Sequence, residues 1–106
     1  MDIALHYFDG CPNWKITDQH LRSLIEEKGL DVDVTYQRID TPEAAAVHAF
    51  HGSPTVLIDG VDPFAEADAP IGLTCRIYQT ESGPAGSPSK EQLAAVLASF
   101  ASGTSS

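Results

Sequence analysis

The chain has 106 residues, 42% of them hydrophobic, which is enough for one compact domain with a buried core and too few for two. Six Lys and Arg against fifteen Asp and Glu give a formal net charge of -9, which argues against nucleic acids and anionic membrane surfaces as partners. No apolar run approaches the ~20 residues of a membrane span, and no signal peptide is apparent. We therefore expect a cytoplasmic protein whose two cysteines are free or transiently oxidised.

The first two predicted elements are a strand and a helix. Residues 3–8 (IALHYF) form a short, mostly apolar run that is typical of a strand buried on both faces. Pro12 suits the first turn of a helix, so Cys11 is predicted near the N-cap and the helix is predicted to reach about Lys28. Gly29 is placed to end that helix. The residues expected on one face of it, at helical spacing, are Ile16, His20, Leu21, Leu24 and Ile25.

A second strand and a short helix follow. Residues 31–40 (DVDVTYQRID) alternate with a period of two, which predicts a strand. Asp40 or Thr41 then caps a helix whose first position is Pro42. We expect Gly52 to end this helix.

A hairpin is predicted after the third strand. Residues 55–58 (TVLI) form that strand, and Asp59-Gly60 is a strong signal for a two-residue turn. Residues 61–64 (VDPF) would be the return strand, which Pro63 limits to a short edge.

The last part of the chain gives a weaker signal. Residues 65–86 are rich in Ala, Pro, Gly and Ser, apart from the run GLTCRIY. Ser87-Pro88 then predicts the start of a final helix with an apolar face, and residues 102–106 form a frayed tail. The sequence therefore predicts one domain over residues 1–101. The apolar face of the final helix comprises Leu93, Val96, Leu97 and Phe100.

Three features of this layout occur together in a known superfamily. They are the order β-α-β-α-β-β-α, Cys11-Pro12 after the first strand, and Ser53-Pro54-Thr55 at the start of the third. Together they resemble the thioredoxin and glutaredoxin superfamily over about residues 2–101, which implies an α/β fold of three layers with a small mixed sheet flanked by helices. More narrowly, YFDGCPNW, GSPTVLIDGVDPF and GLTCRIY resemble small bacterial thioredoxin-like proteins, some of which carry selenocysteine at the position of Cys11.

Cys11 is the first candidate catalytic residue. A thiol at a helix N-terminus faces unpaired backbone N–H groups and the positive end of the helix dipole. Both favour the thiolate, which is the nucleophilic form, whereas Asp9 and the overall negative charge oppose it. We interpret Cys11 as a reactive nucleophile; the alternative is an inert, buried cysteine packed beside Trp14.

Trp14 occupies the position at which a C-x-x-C motif would have its second cysteine. With Pro12 it is a candidate substrate contact, either over the sulfur or as an aromatic wall, and simple core or rim packing is the alternative. The resemblance implies that Pro54 is cis and faces Cys11 across a groove. Within Ser53-Pro54-Thr55, the turned backbone just before Pro54 would then leave N–H and C=O groups free to hold an extended peptide or a glutathione-like thiol by β-type pairing; an ordinary trans proline is the alternative.

Cys75 is the second candidate catalytic residue, as a resolving thiol. If residues 61–64 are the fourth strand, Cys75 lies in the loop that follows and can approach Cys11. If LTCRIY is the fourth strand instead, Cys75 lies in mid-strand, beyond the roughly 4.4–6.8 Å between Cα atoms that a disulfide requires. The Asp59-Gly60 signal favours the first interpretation. Arg76 would favour the Cys75 thiolate, and a merely structural cysteine remains the alternative.

Several functions fit these residues. The first is a thiol-dependent redox protein, a thiol–disulfide oxidoreductase or thiol peroxidase, in which Cys11 attacks a disulfide or peroxide and Cys75 or a low-molecular-weight thiol resolves the product. The second is a module that binds soft metal ions such as mercury, copper(I) or arsenite through the two thiols. The third is an interaction domain of the same fold without catalysis.

No bound cofactor and no structural zinc site are predicted, because no paired Cys/His spacing is present. His48 and His51 share a helix end and, with the cysteines, are weak candidates for a metal site. His6 is expected to be a satisfied core or edge group. Asp59, Asp62, Glu66 and Asp68 are interpreted as solvated loop charges. The sequence leaves the oligomeric state open.

Overall fold

The structure is a computed structural model that describes residues 2–65 and 70–103. Within these residues it contains five strands and three helices. In chain order they are β1 (Asp2–Tyr7), α1 (Trp14–Lys28), β2 (Asp33–Arg38), α2 (Pro42–Val47), β3 (Thr55–Ile58), β4 (Tyr78–Thr80), β5 (Gly83–Ala85) and α3 (Lys90–Gly103).

The central sheet has three strands in the order β2-β1-β3. β1 runs parallel to β2, with Leu5 opposite Tyr36, and antiparallel to β3, with Leu5 opposite Val56. The expected small mixed sheet flanked by helices is therefore confirmed. β4 and β5 pair with each other as a separate antiparallel hairpin and do not extend this sheet.

The main core lies between one face of the sheet and helices α1 and α3. Alternate residues of β1 and β3 point to this face, because successive side chains of a strand point to opposite sides. The predicted face of α1 is correct at Leu21 and Leu24, but Ile16 is 45% exposed and Thr17 is buried instead, one position along the helix. The buried residues of this core are Ile3, Leu5, Leu21, Leu24, Val56, Ile58, Leu93 and Leu97.

The opposite face of the sheet is covered at one end by α2 and the loop after it. Thr41 caps α2 by accepting a hydrogen bond from the Ala44 N–H at 3.0 Å. It is one of the two residues that were predicted as the cap. The helix ends at Val47, well before the predicted end at Gly52. Phe50 turns inward after it and forms a second small core with Ile39 and Ala45.

The turn at Asp59-Gly60 forms as predicted, with φ of 51° and 83° at the two residues. The predicted return strand over residues 61–64 is wrong, because pairing ends after the single bridge between Ile58 and Val61. Pro63 has no N–H to donate, and the Asp62 carboxylate accepts the Phe64 N–H at 2.9 Å. LTCRIY is not a strand either, since β4 begins only at Tyr78, the last residue of that run.

Helix ends explain the remaining boundaries. α1 ends at Gly29, which has the left-handed φ of 60° that favours glycine, as predicted. α3 continues to Gly103, two residues past the predicted end of the domain. The expectations for Glu66, Asp68 and residues 104–106 lie outside the described residues. In the described ranges, no helix has both the length and the apolar character needed to cross a membrane.

Candidate functional site

Cys11 lies in the turn between β1 and α1 and is fully buried. Its N–H donates to the Phe8 carbonyl at 3.0 Å, which fixes the turn. It lies near the helix N-cap, as predicted, because the N-cap is Asn13, two residues later. The N–H groups of Lys15 and Ile16 donate to carbonyls of this turn, so they are not available to the Cys11 sulfur. Two of the backbone N–H groups that were expected to stabilise a Cys11 thiolate are therefore already used within the turn.

A side chain supplies the donor that the helix backbone does not. The Nδ2 atom of Asn13 lies 3.7 Å from the Cys11 Sγ and donates to it. Asn13 makes no capping bond with its own side chain, which leaves the amide directed at the sulfur. Gly86 makes room for this arrangement, because a Cβ there would overlap the Asn13 amide. Sequence reasoning missed Asn13, although asparagine is a favoured N-cap residue and its position after Cys11-Pro12 was a usable signal.

Cys75 forms a disulfide with Cys11 across 64 positions of the sequence, with 5.8 Å between the Cα atoms. This distance falls within the range that disulfides require. The two halves of the bond differ in environment, since Cys11 is buried and Cys75 is an exposed residue. The structure thus brings together the two candidate catalytic residues. Cys75 lies in a loop, as in the favoured interpretation, although the strand that was meant to precede it does not form.

The segment 74–76 is held against Ser53 by parallel β-type pairing. The Ser53 N–H donates to the Thr74 carbonyl at 2.8 Å, and the Arg76 N–H donates to the Ser53 carbonyl at 2.8 Å. The close approach of segment 74–76 to this backbone requires glycine at position 52, where φ is 122° and a Cβ would lie 3.2 Å from the Thr74 carbonyl oxygen. The expectation that Ser53 offers free backbone groups to a partner is wrong, because the protein's own segment occupies them.

The Ser53–Pro54 peptide bond is cis, the conformation that the resemblance implied. The Cys11 Sγ lies 3.8 Å from the Ser53 carbonyl oxygen, so Cys11 and this turn are neighbours. Tyr78 anchors the turn by donating its hydroxyl to the Pro54 carbonyl. Thr55 is directed elsewhere, since its hydroxyl donates to the Gly52 carbonyl at 2.6 Å.

Arg76 forms a partly buried ion pair. Its guanidinium lies 2.7 Å from the Asp62 carboxylate, and the two side chains are only 9% and 13% exposed. It also donates to the Phe64 carbonyl and lies over the Tyr78 ring. The interpretation of Asp62 as a solvated charge is therefore wrong. The positive charge of Arg76, which was expected to favour the Cys75 thiolate, is balanced by Asp62.

Trp14 is partly buried and packs against the main core. Its ring stacks on Tyr7 with 4.4 Å between centroids, and the Lys15 ammonium lies 5.9 Å from the Trp14 ring. These contacts correspond to the core-and-rim alternative for this residue. Pro12 is exposed in the turn, where its carbonyl accepts the Lys15 N–H.

Three of the four histidines, His6, His48 and His51, lie on the other face of the sheet. His6 packs edge-on against His48 with 5.4 Å between ring centroids, and both line a cavity of about 230 Å³ with His51. Burial, and secondarily the nearby His48, lowers the pKa of His6 below its usual value, so its neutral form is favoured. Among the described residues, no group of three His, Cys, Asp or Glu side chains has the geometry of a metal site.

Comparison with protein-family models found no match for this chain, and comparison with curated protein sequences found none either. The assignment of a function therefore rests on the geometry of the residues around Cys11 and Cys75.

Proposed function

We propose that this protein is a thiol–disulfide redox protein whose Cys11–Cys75 pair alternates between a dithiol and a disulfide. The observation that carries the proposal is the bond itself, which joins a buried sulfur to an exposed residue 64 positions away. A bond that is exposed on one side is open to exchange with an external thiol.

The exchange chemistry needs only the two cysteines and a partner. The dithiol reduces a substrate disulfide, releasing two thiols as the Cys11–Cys75 bond forms. With a peroxide, one cysteine sulfur takes an oxygen as the O–O bond breaks, which gives a sulfenic acid and releases water or an alcohol; the other cysteine then displaces water from the sulfenic acid to give the same disulfide. Two equivalents of a low-molecular-weight thiol restore the dithiol, and that thiol is the co-substrate we infer. This supply of reductant fits a cytoplasmic location.

Membership of the thioredoxin and glutaredoxin superfamily is part of this proposal. It is supported by the order of the first five elements, β-α-β-α-β, and by the position of the Ser53-Pro54 turn beside Cys11. The chain departs from the superfamily pattern at two points. Trp14 replaces the second cysteine of C-x-x-C, and the fourth strand does not join the central sheet. Cys75 takes the role of the missing thiol because segment 74–76 pairs with Ser53.

The same pair of sulfurs favours one second candidate, a soft-metal binder. Thiolates select soft ions such as mercury or copper(I), and once reduced the two adjacent sulfurs can hold such an ion between them. Described residues provide no cluster of three ligands, so this candidate predicts two-coordinate binding through Cys11 and Cys75 alone.

A turnover assay separates the two candidates. Reduced protein is mixed with glutathione disulfide under a continuous supply of a low-molecular-weight thiol, and the wild type is compared with Cys11→Ser and Cys75→Ser. Repeated turnover by the wild type, with loss of the internal disulfide in both variants, is the expected result. Stoichiometric metal binding without turnover would instead favour the soft-metal binder. If the protein shows neither turnover nor metal binding, the remaining candidate is an interaction domain without catalysis.

A further inference from the structure

The two halves of the Cys11–Cys75 bond are not equally accessible. Cys11 has no exposed surface, and its sulfur is enclosed by the Asn13 amide and the Ser53 carbonyl. Cys75 is exposed, and its neighbours Thr74 and Ile77 are exposed as well. A reagent dissolved in water therefore meets the bond from the Cys75 side.

Thiol–disulfide exchange has a directional requirement. The attacking thiolate approaches one sulfur in line with the bond, on the side opposite the sulfur that leaves. At Cys11 that approach is filled by protein, whereas at Cys75 the residue borders solvent. We propose that external thiols attack the Sγ of Cys75 and that Cys11 is the leaving group. This inference rests on the proposed function, and it reverses the roles that the sequence suggested.

The reduction then has two balanced steps. A thiolate RS⁻ forms a bond with the Cys75 sulfur while the Cys11–Cys75 bond breaks, and the electron pair remains on Cys11 as a thiolate. The Nδ2–H of Asn13 already points at that sulfur and stabilises the charge as it develops. A second RS⁻ attacks the R sulfur of the mixed disulfide, giving RSSR and the Cys75 thiolate.

The oxidation follows the same path in reverse. Cys75 attacks the substrate disulfide and releases one thiol, and Cys11 then attacks the Cys75 sulfur and releases the second. Cys11 needs no access to solvent for this step. The pairing of segment 74–76 with Ser53 brings the Cys75 sulfur to it. A buried resolving cysteine and an exposed attacking cysteine are the division of roles that this geometry supports.

The first test maps the intermediate on the wild-type protein. Oxidised protein is mixed with substoichiometric glutathione, quenched in acid after a short time, and digested for peptide mass mapping. We expect glutathione on Cys75 and the unmodified thiol on Cys11. Glutathione mainly on Cys11 would overturn the inference while leaving the proposed redox function intact. No adduct on either cysteine would overturn both.

The second test uses a matched pair of variants. Cys11→Ser and Cys75→Ser each lose the same disulfide, so a difference between them does not reflect that loss. Labelling of the remaining thiol with Ellman's reagent should be about tenfold or more faster in Cys11→Ser, because Cys11 is reached only after local opening. Urea at a denaturing concentration should abolish the difference. Equal rates in the folded variants would contradict the inference.

Discussion

Reduction of the Cys11–Cys75 disulfide should lower the stability of the fold by an amount that follows from the loop it closes. The bond joins residues 64 positions apart and encloses α1, β2, α2 and β3. In the chain-entropy description, closing a loop of that length restricts the unfolded chain by about 4 kcal/mol at 25 °C. The whole domain should have about 5–15 kcal/mol of stability, so the reduced protein should remain folded but be much less stable.

Thermal unfolding with and without reductant measures this effect. For a domain of this size, a loss of about 4 kcal/mol corresponds to a decrease in Tm of roughly 15 °C. The control is the Cys11→Ala/Cys75→Ala double variant, whose Tm should not respond to reductant. A decrease of less than about 2 °C in the wild type would refute the reasoning, since the chain-entropy description requires a bond that closes such a loop to stabilise the fold.

The same free energy appears in the redox potential. A bond that stabilises the fold is itself stabilised by the fold to the same extent, because the two equilibria form a closed cycle. About 4 kcal/mol corresponds to about 90 mV for a two-electron couple. The disulfide should therefore be about that much harder to reduce in the folded protein than in urea. Equal potentials in the two states would contradict the calculation.

Three further predictions concern residues around the site and on the opposite face. Asn13→Ala should lower the redox potential by about 20 mV and slow reduction several-fold, because the Cys11 thiolate loses a donor worth about 1 kcal/mol; an unchanged potential with a lower Tm would reduce Asn13 to a structural role. Arg76→Met should cost about 3–5 kcal/mol by urea unfolding, since it leaves the Asp62 carboxylate partly buried without its partner. Adding Asp62→Asn to Arg76→Met should restore part of that loss, and a double variant no more stable than the single one would contradict the ion-pair account. Since the pKa of His6 is lowered in the folded state, the unfolded chain binds the proton first and stability should fall as the pH drops through ~6.5, a slope that His6→Gln should remove in urea titrations.

Local sequence signals predicted most of the elements. The apolar run before Asp9 gave β1, Gly29 gave the end of α1, and Thr41-Pro42 gave the start of α2. Each signal acts within a few residues, through backbone conformation or a capping bond. These are the features that a single sequence reports well.

Most members of the candidate site were predicted, but Asn13 was missed and so was the arrangement of the site. Cys11, Ser53, Pro54 and Cys75 do lie together. The pairing of Ser53 with segment 74–76 is a long-range register, and no local pattern encodes it. The return strand over residues 61–64 was wrongly predicted because Asp59-Gly60 was treated as the start of a full hairpin. The turn forms, but the strand after it does not.

The ion pair between Asp62 and Arg76 could not be predicted from the sequence either. Asp62 and Arg76 are fourteen positions apart, and nothing near either residue marks it as buried. Burial of a charged side chain depends on finding its counter-ion, which only the folded chain determines. The burial of Cys11 and the exposure of Cys75 likewise depend on the folded chain, and our proposal that Cys75 is the attacking thiol rests on that difference.

The most direct test of the central claim is a redox titration of the wild-type protein. The protein is equilibrated in dithiothreitol buffers of graded potential, approached from both the oxidised and the reduced side, then quenched by alkylation and analysed by mass. We predict one reversible two-electron transition in which Cys11 and Cys75 gain alkyl groups together. Independent alkylation of the two cysteines, or no disulfide at the oxidising end, would contradict the account.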